Sequence, residues 1–186
     1  MSAHAAAVAT LAHLDAYDAG QQELRTAYLD HLARHPDGLL RGCRPDHLTA
    51  SVVVLSDDAE QVLLTLHAKA GRWFQLGGHI EERDASLVAA AERELAEESG
   101  LAGLAVDPHP VQLDAHAVDF CGDSPARHLD VRFLAVAPVG ENPPVASEES
   151  LRVAWWPVAS LPSEEPSLLA LVDAGRRRMG CPPLTR

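Results

Sequence analysis

Residues 77–101, GGHIEERDASLVAAAERELAEESGL, constrain this chain more than any other stretch. A glycine pair opens it, an acidic loop follows, and an alanine-rich helix runs to a stop at Gly100. Glu94 lies three residues before Glu97 and four before Glu98, so on a helix the three carboxylates share one face. Like charges at that spacing cost a helix roughly 0.2–0.5 kcal/mol per pair unless something positive sits among them. A hard divalent cation, which prefers oxygen ligands, meets that requirement. The plainer reading is a solvated acidic helix with ion pairs, Arg93 to Glu97 at i, i+4 among them.

The charge balance bears on what such a site serves. The chain has 186 residues and a net charge of −12, from 15 basic against 27 acidic side chains. An acidic surface repels nucleic acid, whose binding depends on neutralising phosphates with Lys and Arg, so no nucleic acid polymer is expected as partner. An anionic substrate would need a local positive device, and a bound metal ion is one. The cysteines, Cys43, Cys121 and Cys181, are far apart and lack any Cys-x-x-Cys spacing, which fits reduced thiols. No basic n-region precedes the alanine-rich start, and no run approaches the ~20 apolar residues of a membrane span. A cytoplasmic protein without a membrane partner is the expectation.

Hydrophobic spacing places a helix over 3–17, with Val8, Leu11 and Leu14, and another over 21–34, with Leu24, Tyr28, His31 and Leu32 on one stripe. This helical extension, residues 1–45, precedes a domain of residues 46–186. In that domain β-branched residues mark a strand over 47–55, a turn at 56–60 and a strand over 61–67, followed by a loop over 68–74. Further strands are expected over 111–120 and 128–136. In the latter Leu129, Val131, Phe133 and Ala135 point one way and His128, Asp130 and Arg132 the other. That polar face is either solvated or the lining of a pocket. A strand over 151–157 and a last helix over 168–179 complete a mixed α/β order. Arg176, Arg177 and Arg178 suit the negative end of that helix.

The central stretch resembles the signature box of the Nudix hydrolases, G-x5-E-x7-R-E-U-x-E-E-x-G-U, with U aliphatic. Gly78 matches its start, and Arg93-Glu94-Leu95-Ala96-Glu97-Glu98-Ser99-Gly100-Leu101 matches its second half without a gap. Two departures stand out. Asp84 replaces the first glutamate, and eight residues rather than seven separate it from Arg93. The extra residue either bulges the loop or starts the helix early, with Asp84 as N-cap of a helix beginning near Ala85. The resemblance implies the Nudix fold, an α/β/α sandwich with a mixed sheet, here preceded by the N-terminal helical hairpin.

It also implies a chemistry. Glu94, Glu97, Glu98 and the Gly78 carbonyl would hold Mg²⁺ or Mn²⁺, and Arg93 would orient a carboxylate. The reaction would be hydrolysis of a small-molecule phosphoanhydride, a nucleoside diphosphate linked to another moiety. Box glutamates can serve as general base, but some relatives take it from a later loop, where Glu148 and Glu149 are the candidates by position; exposed loop charge is the other reading of these two, and Asp130 is a weaker choice. Trp73, Phe74, Trp155 and Trp156 are candidates to stack on a base, and Arg72, Arg132 and His128 to touch phosphate; ordinary packing is the competing reading of the aromatics. The alternatives are a catalytically silent Nudix-like domain that senses a nucleotide, or a prenyl-diphosphate isomerase, which needs a catalytic cysteine. The hairpin leaves two assemblies open, a monomer in which it covers its own sheet and a homodimer.

Overall fold

The computed structural model describes residues 1–118, 126–138, 140, 143–146, 150–182 and 184. Its elements run α1 (Ala3–Ala12), α2 (Ala19–Arg34), β1 (Asp46–Ser56), β2 (Gln61–His67), β3 (Arg72–Phe74), β4 (Leu76–His79), α3 (Leu87–Ser99), β5 (Gln112–Val118), β6 (Ala126–Ala137), β7 (Ser150–Pro157) and α4 (Pro166–Arg178). Strand β1 is the spine. It pairs in parallel with β6 along its whole length, from Asp46↔Arg127 to Ser56↔Ala137. Its other edge is shared by β4, antiparallel from Thr49↔His79 to Val52↔Leu76, and by β2 at Val54↔Leu63. β2 also carries β3 and β7, and β5 closes the far side against β6. The strands β3 and β4 occupy a segment that reads as loop in the sequence. Three residues, and four with two glycines, give too short a pattern for periodicity to register.

Helices cover both faces, as expected of an α/β/α sandwich. On one face Leu48, Ala50, Val52 and Val54 of β1 and Val131, Phe133 and Ala135 of β6 pack with Leu87, Ala90, Ala91 and Leu95 of α3. Ala7, Leu11, Tyr28 and Leu32 of the N-terminal hairpin join that same core, so the two helices cover the chain's own sheet. On the other face α4 places Leu168, Leu171 and Val172 on Val53, Leu55 and Leu134. A Cβ on Gly175 would lie 3.1 Å from both Val53 Cγ1 and Leu55 Cδ1, so the glycine lets α4 sit close. The arginines at the end of α4 each have a tertiary partner: Arg176 donates to the Ala59 carbonyl, Arg178 to Asp107 at 2.8 Å, and Arg177 lies over the Tyr17 ring. Among the described residues no helix is long and apolar enough to cross a membrane.

β5 would be an open edge, and α2 closes it. The Gln21 side-chain amide donates to the Leu113 carbonyl at 2.9 Å and accepts from the Leu113 N–H at 2.7 Å, imitating one rung of a strand ladder. The buried Tyr28 hydroxyl donates to the Asp114 carbonyl at 2.6 Å. Gln21→Leu keeps the volume and leaves two buried backbone groups unpaired, a loss of about 2 kcal/mol. The expected outcome in a thermal melt is a drop of roughly 4–8 °C with unchanged far-UV circular dichroism; an unchanged midpoint would show that the rung contributes nothing.

Candidate functional site

The site is built at the corner between β4 and α3. Gly77 has φ 148°, and a Cβ there would lie 2.6 Å from Ser51 Cα, so only glycine fits against β1. A Cβ on Gly78 would lie 2.6 Å from Glu94 Oε1 and 2.9 Å from Oε2; the missing side chain is what lets the β4 backbone meet this carboxylate. The Gly77 N–H donates to Glu98 Oε2 at 2.9 Å, and Glu98 is buried. The glycine pair and the helix therefore bring Gly78, Glu94 and Glu98 to one place. Glu97 stands at the rim, half exposed, with Arg83 and Arg93 each 3.0 Å from one of its oxygens.

Arg93 ties the corner together. Its Nε and Nη2 donate to Asp84 Oδ1 and Oδ2 at 3.1 and 2.9 Å, Nη2 also to the His79 carbonyl at 2.8 Å, and Nη1 to Glu94 and Glu97 at 2.9 and 3.0 Å. Burial alone would push the Asp84 carboxyl up, yet the Arg93 guanidinium and the Glu81 N–H hold it below the usual carboxylate range. Asp84 is not the N-cap of the helix. Ser86 is, accepting from the Ala89 N–H at 3.2 Å, and α3 begins at Leu87. The extra residue of this box thus lies in the loop. Gly100 ends the helix in the left-handed region, φ 71°.

The cleft beside this corner encloses about 600 Å³. Its floor is the end of the sheet that α4 leaves uncovered, where alternate residues of β1, β6 and β5 form three polar rows. Register places His47, His128 and His116 in one row, Thr49, Asp130 and Asp114 in the next, and Ser51, Arg132 and Gln112 in the third. Asp130 accepts from Thr49 at 2.9 Å, Ser51 at 2.8 Å and Arg132 Nε at 2.8 Å. Arg132 donates further to Asp114 at 3.1 Å, Gln112 at 3.0 Å and the Ser167 hydroxyl at 2.8 Å. The polar face of β6 is therefore pocket lining, and Asp130 and Arg132 are committed to each other and to the floor. Arg41, Lys69 and Arg72 also line the cleft, as does Glu165, while the acidic Asp114 and Asp130 of the floor are paired with Arg132.

Other sequence candidates fall elsewhere. Glu148 and Glu149 lie outside the described residues, as does Cys121. Trp73 and Trp156 meet edge to face, ring centroids 5.2 Å apart, and pack on the α4 core, while Trp155 packs on the opposite one. Phe74 does line the cleft. Cys43 is buried, and burial pushes its thiol up. His47 and His79 carry no motif, although the alternation His47-x-Thr49-x-Ser51 inside an apolar strand was a readable sign of a polar floor.

His79 of β4 pairs opposite Thr49 in register but sets its ring against the first row, with the His47 and His128 rings 5.2 and 5.0 Å away. Burial, then His47, Arg41 and Arg44, lowers the His79 pKa to about 4. Burial, then His79, His116 and His47, lowers that of His128 to about 3, against a weaker opposing pull from Asp130. An unfolded chain takes up these protons near pH 6.5. Between about pH 6.5 and 4 the unfolded chain thus binds protons the folded one refuses, and stability falls as pH falls. Asp84 and Asp114, with pKa values lowered in the fold, add their losses below that window. The unfolding midpoint is expected to drop steadily from pH 7 to pH 4.5, with a shallower slope in His128→Asn; equal slopes would exclude the row as the cause.

The model of the NUDIX domain family matches residues 45–177. No curated protein matches the chain. Among solved structures it is similar to a NUDIX family hydrolase from Clostridium perfringens, at 23% identity and TM-score 0.57, over 71% of this chain and 97% of that one. The NUDIX domain of Shewanella oneidensis NrtR, crystallised with ADP ribose, matches at 23% identity and TM-score 0.57, over 71% and 87%. The dihydroneopterin triphosphate pyrophosphohydrolase of E. coli matches at 20% and 0.55, over 70% and 93%. With more than half of its length matched by the family model and the box assembled at the β4–α3 corner, this chain belongs to the NUDIX family.

Proposed function

We propose that the protein is a Mg²⁺- or Mn²⁺-dependent pyrophosphohydrolase acting on a nucleoside diphosphate linked to another moiety, such as a nucleotide sugar, an ADP-ribose-like compound or a (d)NTP-like one. The observation that carries this reading is the cradle at Gly78, which a Cβ would fill, set against the carboxylates of Glu94 and Glu98 and opening on a cleft walled by Arg41, Lys69 and Arg72. Oxygen donors of this kind fit a hard divalent ion, and Glu94, Glu97, Glu98 and the Gly78 carbonyl would hold it. Such an ion, when bound, acidifies water and neutralises charge on phosphoryl oxygens. Glu97 pairs with two arginines, Arg83 and Arg93, which offset its charge. Arg93 positions Glu94 and Glu97, and Arg41, Lys69 and Arg72 would receive the phosphates. The proton from water would go to one of the box glutamates or, from the later loop, to Glu148 or Glu149. That solved relatives include a triphosphate pyrophosphohydrolase and a complex with ADP ribose supports this substrate class.

An isomerase reading is disfavoured by Cys43, since reactive thiols are exposed with lowered pKa and this one is buried with its pKa raised. Incubation with a panel of nucleoside diphosphate derivatives and Mg²⁺ is expected to yield two phosphate-bearing products from at least one of them. Tight binding without turnover would instead establish the silent sensor. Glu97→Gln and Glu98→Gln should each lower kcat/KM by at least about 100-fold, beyond what outer-shell changes do, with the circular dichroism spectrum retained. Activity within tenfold of the parent in both variants would overturn the assignment of the ligands.

A further inference from the structure

We infer that His47, His79 and His128 form a second metal site, of nitrogen rather than oxygen character, that takes one ion of the Zn²⁺ class. Three adjacent strands, β4, β1 and β6, each contribute one ring. Each ring offers a ligand atom, and the three atoms lie within 4.8 Å of one another. The ring centroids form a near-equilateral triangle of 5.2, 5.0 and 5.0 Å. A tetrahedral ion with Zn–N distances of about 2.0–2.1 Å needs nitrogens about 3.3 Å apart, a contraction within reach of side-chain rotation.

Two further observations point to a ligand. His128 Nε2 is sealed from solvent and has no hydrogen-bond partner among the described residues, a cost that native structures rarely leave unexplained. His47 Nδ1 lies 3.2 Å from the Cys43 carbonyl. A proton on Nδ1 directed at that carbonyl would fix the ring's orientation, as second-shell partners do for metal-bound histidines. Neutral imidazoles suit Zn²⁺ and its neighbours in the first transition row, whereas Mg²⁺ prefers oxygen. The two sites therefore take different ions. His79 follows Gly78 directly, and with His128 it borders the cleft, so the nitrogen site adjoins the carboxylate site along one strand.

The test uses the full chain, free of any histidine tag, with excess Mg²⁺ to occupy the carboxylates. Titration with Co²⁺ is expected to give one equivalent with the intense visible absorption of a tetrahedral centre and no thiolate charge-transfer band, and Zn²⁺ should displace it. Imidazole ¹⁵N spectra of the parent protein, which need no variant, should show three rings shifting on Zn²⁺ addition. His128→Gln and His47→Gln, with melts checked for folding, should weaken binding by more than about 100-fold, since even second-shell losses cost 10–100-fold. Any of three outcomes would overturn the site: no uptake beside Mg²⁺, a thiolate band that assigns the ion to Cys43, or unchanged stoichiometry and spectrum in His128→Gln.

Discussion

Arg93 is the interaction on which the working part of this molecule depends. One planar guanidinium reaches a loop carboxylate, a strand carbonyl and two helix carboxylates at 2.8–3.1 Å. Lysine could not replace it, because a point charge on a flexible stem lacks the fixed fork that holds Asp84 with two donors while serving the others. The guanidinium is largely withdrawn from solvent, where an unpaired charge would be costly; Asp84 and Glu94 make its burial tolerable, and it makes theirs tolerable in turn. The guanidinium thereby offsets part of the repulsion within a glutamate cluster that looks unfavourable on an isolated helix.

A second constraint is a change of character along one sheet face. On β1 the residues facing α4 run His47, Thr49, Ser51, Val53, Leu55, and on β6 they run His128, Asp130, Arg132, Leu134. The apolar ends lie under α4, and the polar ends form the cleft floor. Because β1 and β6 are in register, the switch falls at the same level on both, and the helix stops covering where the polar rows begin. Asp130 and Arg132 make those rows self-satisfying, which buried polar groups require. Function and packing are thus divided along a strand rather than between elements.

This division explains what could be read from the chain beforehand. Helix α3, the hairpin of β1 and β2, and α4 follow strong local patterns, and the glutamate spacing fixed one face of α3 whatever the fold. The alternation in β6 was legible as well, but whether His128, Asp130 and Arg132 met water or a pocket depended on partners far away in sequence: Thr49, Ser51, Asp114 and Ser167. The histidine row was invisible for the same reason. His47 and His128 are 81 residues apart and become neighbours only through the parallel pairing of β1 with β6, a long-range contact that no local period encodes. Strands β3 and β4 escaped because glycines and brevity erase the alternation that identifies a strand.

The two departures from the signature box turn out to be one adjustment. An aspartate is a methylene shorter than the glutamate it replaces, so by itself it would fall short of the helix arginine. One more residue lies between Asp84 and Arg93 than the box prescribes, and since α3 begins at Leu87 behind a Ser86 cap, that residue is loop. The longer loop lets Asp84 come in to 2.9 and 3.1 Å of Arg93 while its Oδ2 accepts the Glu81 N–H at 2.9 Å. Backbone supplies the reach that the side chain lacks. Together the two changes keep the bidentate pair and leave the spacing of Arg93, Glu94, Glu97 and Glu98 untouched. A shortened carboxylate with a matching insertion therefore counts as the same device, and a one-residue gap in a motif weighs less than whether the geometry on either side of it can close.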